Sequence, residues 1–164
     1  MKIMKKITYA FIDAQNTETT TRQVLGFIVD WGKLFSFLKQ KWDCEKVFLY
    51  SGVDAGDAET ETEFESLAQA GCVVRSKTVF AYKNKNKIID VKCPKCGNEF
   101  DGVADMGYNR KSNCDVELTV DAMECAGPNT EFYIFTGDGD FECLIKKAVE
   151  RGTIVHIVSS AKRI

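Results

Sequence analysis

Two aspartates within residues 134–141, in the stretch Ile-Phe-Thr-Gly-Asp-Gly-Asp-Phe, are the side chains best suited to chemistry. Apolar residues 132–135 predict a short buried strand, the glycines interrupt it, and residues 142–151 have the apolar spacing of a helix. Asp138 and Asp140 therefore fall where a strand gives way to a helix. In an open α/β sheet ligands bind at that edge, and the glycines would let a metal ion or phosphate approach the backbone closely. Two carboxylates there would suit a hard cation.

Turn chemistry is the alternative explanation for these two aspartates. Asp-Gly is a common turn pair, and Asp140 would make a good N-cap for the helix that follows. A matching acidic residue at the end of the first predicted strand favours a site. Residues 7–13 form a nearly continuous apolar run that ends in Asp13, and Asn16 follows three positions later. Such a run is typical of a parallel strand that is covered on both faces.

A third acidic position lies at the start of a predicted helix over residues 113–125. Asp115 occupies its amino end, where the helix dipole helps to keep a carboxylate ionised, whereas Asp121 lies six positions further on and cannot share its face. Three or four aspartates from two strand ends and a helix start would form a cage for Mg²⁺ or Mn²⁺, which would relieve their mutual repulsion. We assign Asp13, Asp115 and Asp138 as metal ligands, direct or through water. Asp140 is assigned as a ligand or neighbouring carboxylate, and Asn16 as a contact to phosphate or metal-bound water.

Length and composition predict one globular domain over residues 1–164. The chain is 45% hydrophobic with a formal net charge of −2, and a pI near 5.5 argues against nucleic-acid binding through overall charge, although a local basic surface could still bind it. No apolar run approaches the roughly 18 residues of a membrane span, so no membrane partner is expected. The seven cysteines are an odd number in core-like segments, which fits reduced thiols and a cytoplasmic protein.

The rest of the pattern alternates between strands and helices. This order predicts a three-layer α/β/α sandwich with a five-stranded parallel sheet. Residues 17–21 are predicted as a polar loop, and residues 24–29 fit either a short turn or a flap. The predicted strands are 7–13, 46–50, 72–75, 132–135 and 153–158, and the predicted helices are 30–42, 57–70, 113–125 and 142–151.

Residues 76–111 interrupt that alternation and are predicted to form a long irregular insertion within the domain. Long irregular stretches in compact domains are often functional. Basic and aromatic side chains together are typical of a surface for single-stranded nucleic acid, but the lysines would also simply keep an insertion soluble, and both interpretations stay open. The side chains concerned are Lys77, Lys83, Lys85, Lys87, Lys92, Lys95, Arg110 and Lys111, with Phe80, Tyr82, Phe100 and Tyr108 among them.

The insertion contains Cys93-Pro-Lys-Cys96-Gly, the pattern of a zinc knuckle. A structural zinc ion needs four ligands, and the sequence has no second Cys-x-x-Cys. Cys114 is the best third ligand because seventeen residues separate it from Cys96, and Glu117 stands in the place of the missing fourth cysteine. Cys72 is another candidate. A degenerate, empty or intermolecular knuckle, and with it a homodimer, stays open.

Three acidic motifs in this order resemble the NYN domain, a family grouped with the PIN-like nucleases. The likeness extends from the first strand to Val158. It implies a Rossmann-like α/β/α sandwich with a divalent-metal-dependent ribonuclease site, in which Asp13, Asp115, Asp138 and Asp140 line an acidic pocket beside Asn16. The motifs are Phe-Ile-Asp-Ala-Gln-Asn at 11–16, Cys-Asp-Val-Glu-Leu at 114–118 with Asp121, and Thr-Gly-Asp-Gly-Asp-Phe at 136–141.

Two features depart from that family pattern. Members often have a lysine three residues before the middle aspartate, where this chain has Ser112, with Lys111 one position further away. The basic insertion and its cysteine knuckle are not part of the common core either. The expected insertion therefore belongs to this chain rather than to the shared fold.

The resemblance and the acidic residues both favour hydrolysis of RNA. Cleavage of a phosphodiester needs an activated water and stabilisation of the leaving oxygen, which Mg²⁺ or Mn²⁺ supplies. The only histidine, His156, lies in the last apolar strand, where we expect it to be packed in the core. The alternatives are a non-catalytic NYN-type module that binds RNA or protein, and a phosphatase-like hydrolase with an aspartyl nucleophile. The latter normally uses an Asp-x-Asp after its first strand, which is absent here.

Overall fold

A computed structural model describes residues 6–111 and 113–160, so Ser112 lies outside the described residues. This part of the chain contains five α-helices, and a π-helical turn, Thr21–Leu25, follows the first of them. The strands are β1 (Ile7–Asp13), β2 (Cys44–Val53), β3 (Val73–Thr78), β4 (Phe80–Lys83), β5 (Lys87–Lys92), β6 (Glu99–Ala104), β7 (Tyr108–Lys111), β8 (Thr130–Phe135) and β9 (Ile154–Val158). The helices are α1 (Ala14–Thr20), α2 (Trp31–Gln40), α3 (Ala58–Gln69), α4 (Asp115–Cys125) and α5 (Glu142–Glu150).

The main sheet has five strands in the order β3-β2-β1-β8-β9, all parallel, which confirms the predicted architecture. The chain passes from β1 to β2 and β3 on one side and then crosses to β8 and β9 on the other. The strand order therefore reverses at β1, between β1 and β8. Ligands of open α/β sheets bind outside the carboxyl ends of the strands at such a switch point.

Strand β1 is buried on both faces because side chains alternate along a strand. Ala10 and Ile12 pack with Phe35 and Leu38 in the layer that contains α2 and α3. Phe11 points the other way into the layer of α4 and α5 and contacts neighbouring aromatic rings there. Complete burial of Phe11 stabilises the fold by roughly 2 kcal/mol. This two-sided core holds the carboxyl end of β1 in place.

Residues 17–21 are helical, so the prediction of a polar loop there was wrong. Asp13 caps α1 by accepting a hydrogen bond from the Asn16 amide at 3.1 Å. The hydroxyls of Thr20 and Thr21 then donate to helix carbonyls at 2.9 Å and 3.0 Å. Threonine has low intrinsic helix propensity, but its hydroxyl is satisfied in this way within the helix. The cap and these bonds together outweigh the propensity.

Residues 76–111 are also more regular than predicted. They form two antiparallel two-stranded ribbons, β4 with β7 and β5 with β6, and neither belongs to the main sheet. The start of the segment continues β3 as far as Thr78. The aromatic side chains of Phe80, Tyr82 and Phe100 are exposed on these ribbons.

His156 is exposed on the edge strand β9, so the prediction of a packed core histidine was wrong. Its Nε2 lies 2.7 Å from Glu131 Oε1, and its ring stacks on Tyr133 at 4.8 Å between centroids. Side chains on an edge strand have fewer neighbours to cover them than those on a central strand, and the apolar pattern of β9 does not reveal that it lies at the edge. None of the helices described is long and apolar enough to cross a bilayer.

Candidate active site

A cavity of about 620 Å³ opens at the carboxyl ends of the strands where the sheet order reverses. Three of the predicted aspartates line it together. Asp13 comes from the end of β1, Asp138 follows β8, and Asp115 begins α4. The lining residues are Asp13, Gln15, Asn16, Thr19, Thr20, Tyr50, Ser51, Gly52, Asn113, Cys114, Asp115, Leu118 and Asp138. We call this cavity the acidic pocket.

Asp13 is held by a donor to each of its carboxylate oxygens. The Asn16 amide donates to Oδ1 at 3.1 Å, and the hydroxyl of Thr136 donates to Oδ2 at 3.2 Å. Thr136 is only 2% exposed, and its oxygen also accepts from the amide of Asp138 at 3.1 Å. One buried hydroxyl therefore links the Asp13 carboxylate to the backbone of Asp138, although these aspartates are 125 positions apart in the sequence.

Asn16 joins α1 to the loop after β8. Its Oδ1 accepts from the Gly137 amide at 2.7 Å. An amide N–H can donate only to the oxygen, so this bond fixes the orientation of the side chain and turns Nδ2 the other way. A β-carbon at Gly137 would lie 3.0 Å from Ser159 Oγ and 3.4 Å from Asn16 Oδ1, so glycine permits this close approach.

Asp138, rather than Asp140, caps the turn that follows β8. Its Oδ1 accepts from the Asp140 amide at 2.9 Å and starts a short 3₁₀ turn, Gly139–Phe141, before α5. The side chain of Asp140 is exposed and does not line the acidic pocket. The structure therefore does not place Asp140 with the other predicted ligands, and Asp140 does not cap α5 as the alternative explanation supposed.

Asp115 is positioned by Asn113, a residue that the sequence did not single out. Asn113 Nδ2 donates to Asp115 Oδ2 at 2.6 Å, and Asn113 Oδ1 accepts from the Asp115 amide at 2.7 Å. This reciprocal pair holds the first residue of α4 towards the acidic pocket. Asparagine just before a helix is a frequent capping residue, so the sequence did contain a signal for it.

The three carboxylates of the acidic pocket are electrostatically coupled at Asp13. Burial is the largest influence and raises the pKa of Asp13 above its usual value, and the charges of Asp115 and Asp138 raise it further. The hydrogen bonds from the Asn16 amide and Thr136 act in the opposite direction without cancelling the rise. Ionised Asp13 is thus under repulsion that a bound cation would relieve.

Asp121 anchors α4 to the sheet beneath the acidic pocket. The Tyr50 hydroxyl donates to Asp121 Oδ2 at 2.9 Å, and the guanidinium of Arg75 donates to both carboxylate oxygens at 3.2 Å. Asp121 is 8% exposed, so these donors satisfy a buried charge. Burial and the neighbouring carboxylate together raise the pKa of Tyr50. The prediction that Asp121 faces away from Asp115 agrees with this role.

A second cavity of about 240 Å³ adjoins the acidic pocket and shares Asn16 and Thr20 with it. Its walls are mostly apolar, and hydroxyl groups lie among them. Phe27, from the segment after the π-helical turn, is 51% exposed at this cavity. The walls are Thr17, Thr21, Leu25, Phe27, Val29, Leu34, Phe135, Thr136, Val158, Ser159 and Ser160. We call it the apolar pocket.

The structure does not place Cys114 with the cysteine knuckle. The thiol of Cys114 is buried and lies 3.6 Å from the Ser51 carbonyl oxygen. Glu117 Oε1 forms an ion pair with Lys77 at 2.7 Å, which lowers the pKa of Glu117. Cys72 is buried against the Val47 carbonyl at 3.4 Å. Across residues 6–111 and 113–160, no three His, Cys, Asp or Glu side chains are arranged to hold a metal ion.

An acidic pocket at the switch point of a parallel α/β/α sandwich is the arrangement of the PIN-like class of domains. The NYN domain family, which belongs to the PIN-like superfamily, matches residues 8–163. This chain therefore belongs to the NYN domain family. The matched range spans nearly the whole chain.

Two known proteins are similar to this chain. The low amplitude and bright protein LabA of Synechococcus elongatus is 24% identical over 151 residues, which cover 92% of this chain and 72% of LabA. A crystal structure of a protein of unknown function from Vibrio parahaemolyticus superposes with a TM-score of 0.66 and 19% identity. It covers 97% of this chain and 84% of that protein. At this identity the second likeness shows the fold alone.

Proposed function

We propose that this chain is a divalent-metal-dependent endoribonuclease that cleaves RNA in the acidic pocket. The observation that supports this proposal most strongly is the convergence of Asp13, Asp115 and Asp138 from three separate elements on one cavity at the switch point. Membership of the NYN domain family, which is generally a ribonuclease family, supports the same chemistry.

The donor set of the acidic pocket suits Mg²⁺ or Mn²⁺. Oxygen ligands are the ones these ions prefer, and Mg²⁺ usually binds through one or two carboxylates while keeping several waters. An open pocket lined by carboxylate oxygens therefore suits such an ion. Asp13, Asp138 and Asp115 would hold the ion, directly or through water. The ion would supply a water that is nucleophilic near neutral pH and would neutralise charge on the phosphate.

The chain's own residues orient these groups. The Asn16 amide and the Thr136 hydroxyl hold the Asp13 carboxylate, and Asn113 holds Asp115. Asn16 Nδ2 makes no hydrogen bond within the part of the chain described here, while its Oδ1 is occupied by Gly137. Asn16 Nδ2 would therefore be able to donate to a phosphate oxygen of the substrate. Such a bond positions the phosphodiester without carrying base specificity.

The apolar pocket favours single-stranded RNA as the substrate. A base next to the scissile phosphate can reach an apolar wall only when it is unstacked from its neighbours, and aromatic side chains bind such bases by stacking. Phe27 offers an exposed ring in the apolar pocket, which adjoins the acidic pocket. A duplex would keep its bases out of this cavity.

The test is a cleavage assay with single- and double-stranded RNA and DNA in the presence of Mg²⁺ or Mn²⁺. Wild type is expected to cleave single-stranded RNA internally, and chelation should stop it. Asp13→Asn and Asp138→Asn should lose this activity while remaining folded by circular dichroism. Asp140→Asn is the matched control and should keep it, because its carboxylate lies outside the acidic pocket. Activity that survives in both of the first two variants would contradict the proposal.

A non-catalytic RNA-binding module is the second candidate. The lack of a three-ligand metal group among the described residues favours it. Wild type that binds single-stranded RNA but does not cleave it with either ion would support this alternative against the enzyme. The cytoplasmic location stays a prediction.

A further inference from the structure

The cysteine knuckle closes the tip of the β5–β6 ribbon. Cys93 N donates to the Asn98 carbonyl at 2.8 Å, and Gly97 N donates back to the Cys93 carbonyl at 2.9 Å. Gly97 has a φ of +74°, a conformation that side chains other than glycine rarely adopt. These bonds form a tight turn that brings Cys93 and Cys96 to the same side.

The two thiols are arranged as a pair for a metal ion. Two residues separate Cys93 from Cys96 within this turn, the spacing by which two thiolates bind one ion in structural zinc sites. Cys96 is exposed and Cys93 is half-buried, so solvent reaches the pair.

This chain supplies only half of a zinc site at the knuckle. Structural zinc takes four ligands in a tetrahedron, and thiolates are preferred ones. No third His, Cys, Asp or Glu joins Cys93 and Cys96 in the residues that the structure describes. Cys114 and Cys72, the candidates named from the sequence, are buried against backbone carbonyls elsewhere. The missing pair of ligands must come from outside the knuckle.

The ribbon beneath the knuckle leaves apolar side chains exposed on both of its faces. Ile88 and Val103 lie directly opposite each other on β5 and β6, and their side chains are 69% and 70% exposed. Phe100 on the other face of the ribbon is also exposed. An isolated two-stranded ribbon is only marginally stable in water, and exposed apolar pairs on it are typical of an interaction surface. A ribbon of the same kind would cover this surface.

We propose that two copies of this chain bind one Zn²⁺ between them, each contributing Cys93 and Cys96, and thereby form a homodimer through their β5–β6 ribbons. A two-fold axis through the ion gives each copy the same contacts, because such interfaces use one patch twice. The four thiolates would complete the tetrahedron, and Lys95, which lies between the two cysteines in the sequence, adds a positive charge beside each pair. The inference does not depend on the proposed nuclease activity.

The experiment measures zinc content and mass of the full chain in the same samples. TCEP is kept present so that no disulfide links the copies. Wild type purified with Zn²⁺ is expected to contain one zinc per two chains by elemental analysis and to elute as a dimer in size exclusion with light scattering. A strong zinc chelator should remove the metal and convert the dimer to monomers.

The variants separate the knuckle from the other thiols. Cys93→Ser and Cys96→Ser should lose both the zinc and the dimer, whereas Cys143→Ser, which removes an exposed thiol on α5, should keep both. Three results would overturn the inference: wild type without zinc, a monomer with one zinc per chain, or a dimer that persists in Cys93→Ser. Co²⁺ substitution provides a further readout, because four thiolates give an intense tetrahedral spectrum that the serine variants should not show.

Discussion

The buried hydroxyl of Thr136 should control both the stability of this domain and the geometry of its acidic pocket. Thr136→Val keeps the shape of the side chain but removes the hydroxyl. Asp13 Oδ2 then loses a donor, and the amide of Asp138 loses its acceptor. A hydrogen bond to a charged group contributes about 1.5–3 kcal/mol, and an amide left unsatisfied costs about 1 kcal/mol or more. Because Asp13 and Asp138 are partly exposed, water replaces some of the lost hydrogen bonding, and we expect the free energy of unfolding to fall by about 2 kcal/mol.

That loss can be measured in two ways. For a chain of this size it corresponds to a fall in Tm of roughly 4–8 °C, observable by calorimetry. If the same free energy is lost in holding the carboxylates for catalysis, cleavage of single-stranded RNA should slow roughly 30-fold. Thr136→Ser is the matched control, since it keeps the hydroxyl and loses one methyl group, worth about 0.8 kcal/mol. Its cleavage rate should stay close to that of wild type.

The reasoning is refuted if Thr136→Val melts and cleaves like wild type. It is equally refuted if Thr136→Ser is as defective as Thr136→Val, because the methyl group rather than the hydroxyl would then matter.

Three further predictions concern charge, anchoring and substrate. Since the pKa of Asp13 is raised, its carboxyl group binds a proton more tightly in the folded state than in the unfolded chain. Protonation therefore adds to the free energy of unfolding below the ordinary pKa of 3.8, and this contribution is lost as the pH rises through the higher folded pKa. Asp13→Asn should therefore be at least as stable as metal-free wild type at neutral pH in urea unfolding, and a clear loss of stability would contradict this. Tyr50→Phe removes a donor to the buried Asp121 and should lower the free energy of unfolding by about 1 kcal/mol. Calorimetry should show the same Mn²⁺ affinity as in wild type. An unchanged free energy of unfolding would argue against the anchoring role of Asp121. Phe27→Ala should raise the KM for single-stranded RNA several-fold, because loss of one stacked base costs about 1–3 kcal/mol. Phe37→Ala, which removes an exposed ring on α2, is the control and should leave the KM unchanged. Equal effects of the two substitutions on the KM would exclude stacking in the apolar pocket.

The fold could be predicted from the sequence because its signals are local and repeated. The apolar run of β1, from Ile7, indicated a strand covered on both faces, and the helices predicted at 30–42 and 57–70 correspond to α2 and α3. The π-helical turn and α1 were missed because threonines favour loops on average, and only their bonds to helix carbonyls satisfy them here. The ribbons were missed because their strands are short and rich in lysine.

The site could be predicted only in part. The aspartates were visible because each ends a strand or begins a helix, which is where a parallel sheet gathers ligands. Asn16 was assigned from the sequence, but its bond to Gly137 and the role of Thr136 could not be predicted, because they depend on hydrogen bonds between residues more than 120 positions apart. Spacing suggested Cys114 as a partner of the knuckle, but its apolar neighbours on α4 draw it into the core. Asp138 and Asp140 have similar neighbours in the sequence, and only the course of the turn after β8 decides that Asp138 and not Asp140 lines the acidic pocket.

The most direct test of the shared acidic pocket is calorimetric titration of Mn²⁺ into the metal-free protein at neutral pH. Binding is predicted in wild type and in Asp140→Asn, and Asp13→Asn, Asp115→Asn and Asp138→Asn should each weaken it strongly while remaining folded. If these three variants bind Mn²⁺ as tightly as wild type, the carboxylates do not act together on one ion, and the account of this site is contradicted.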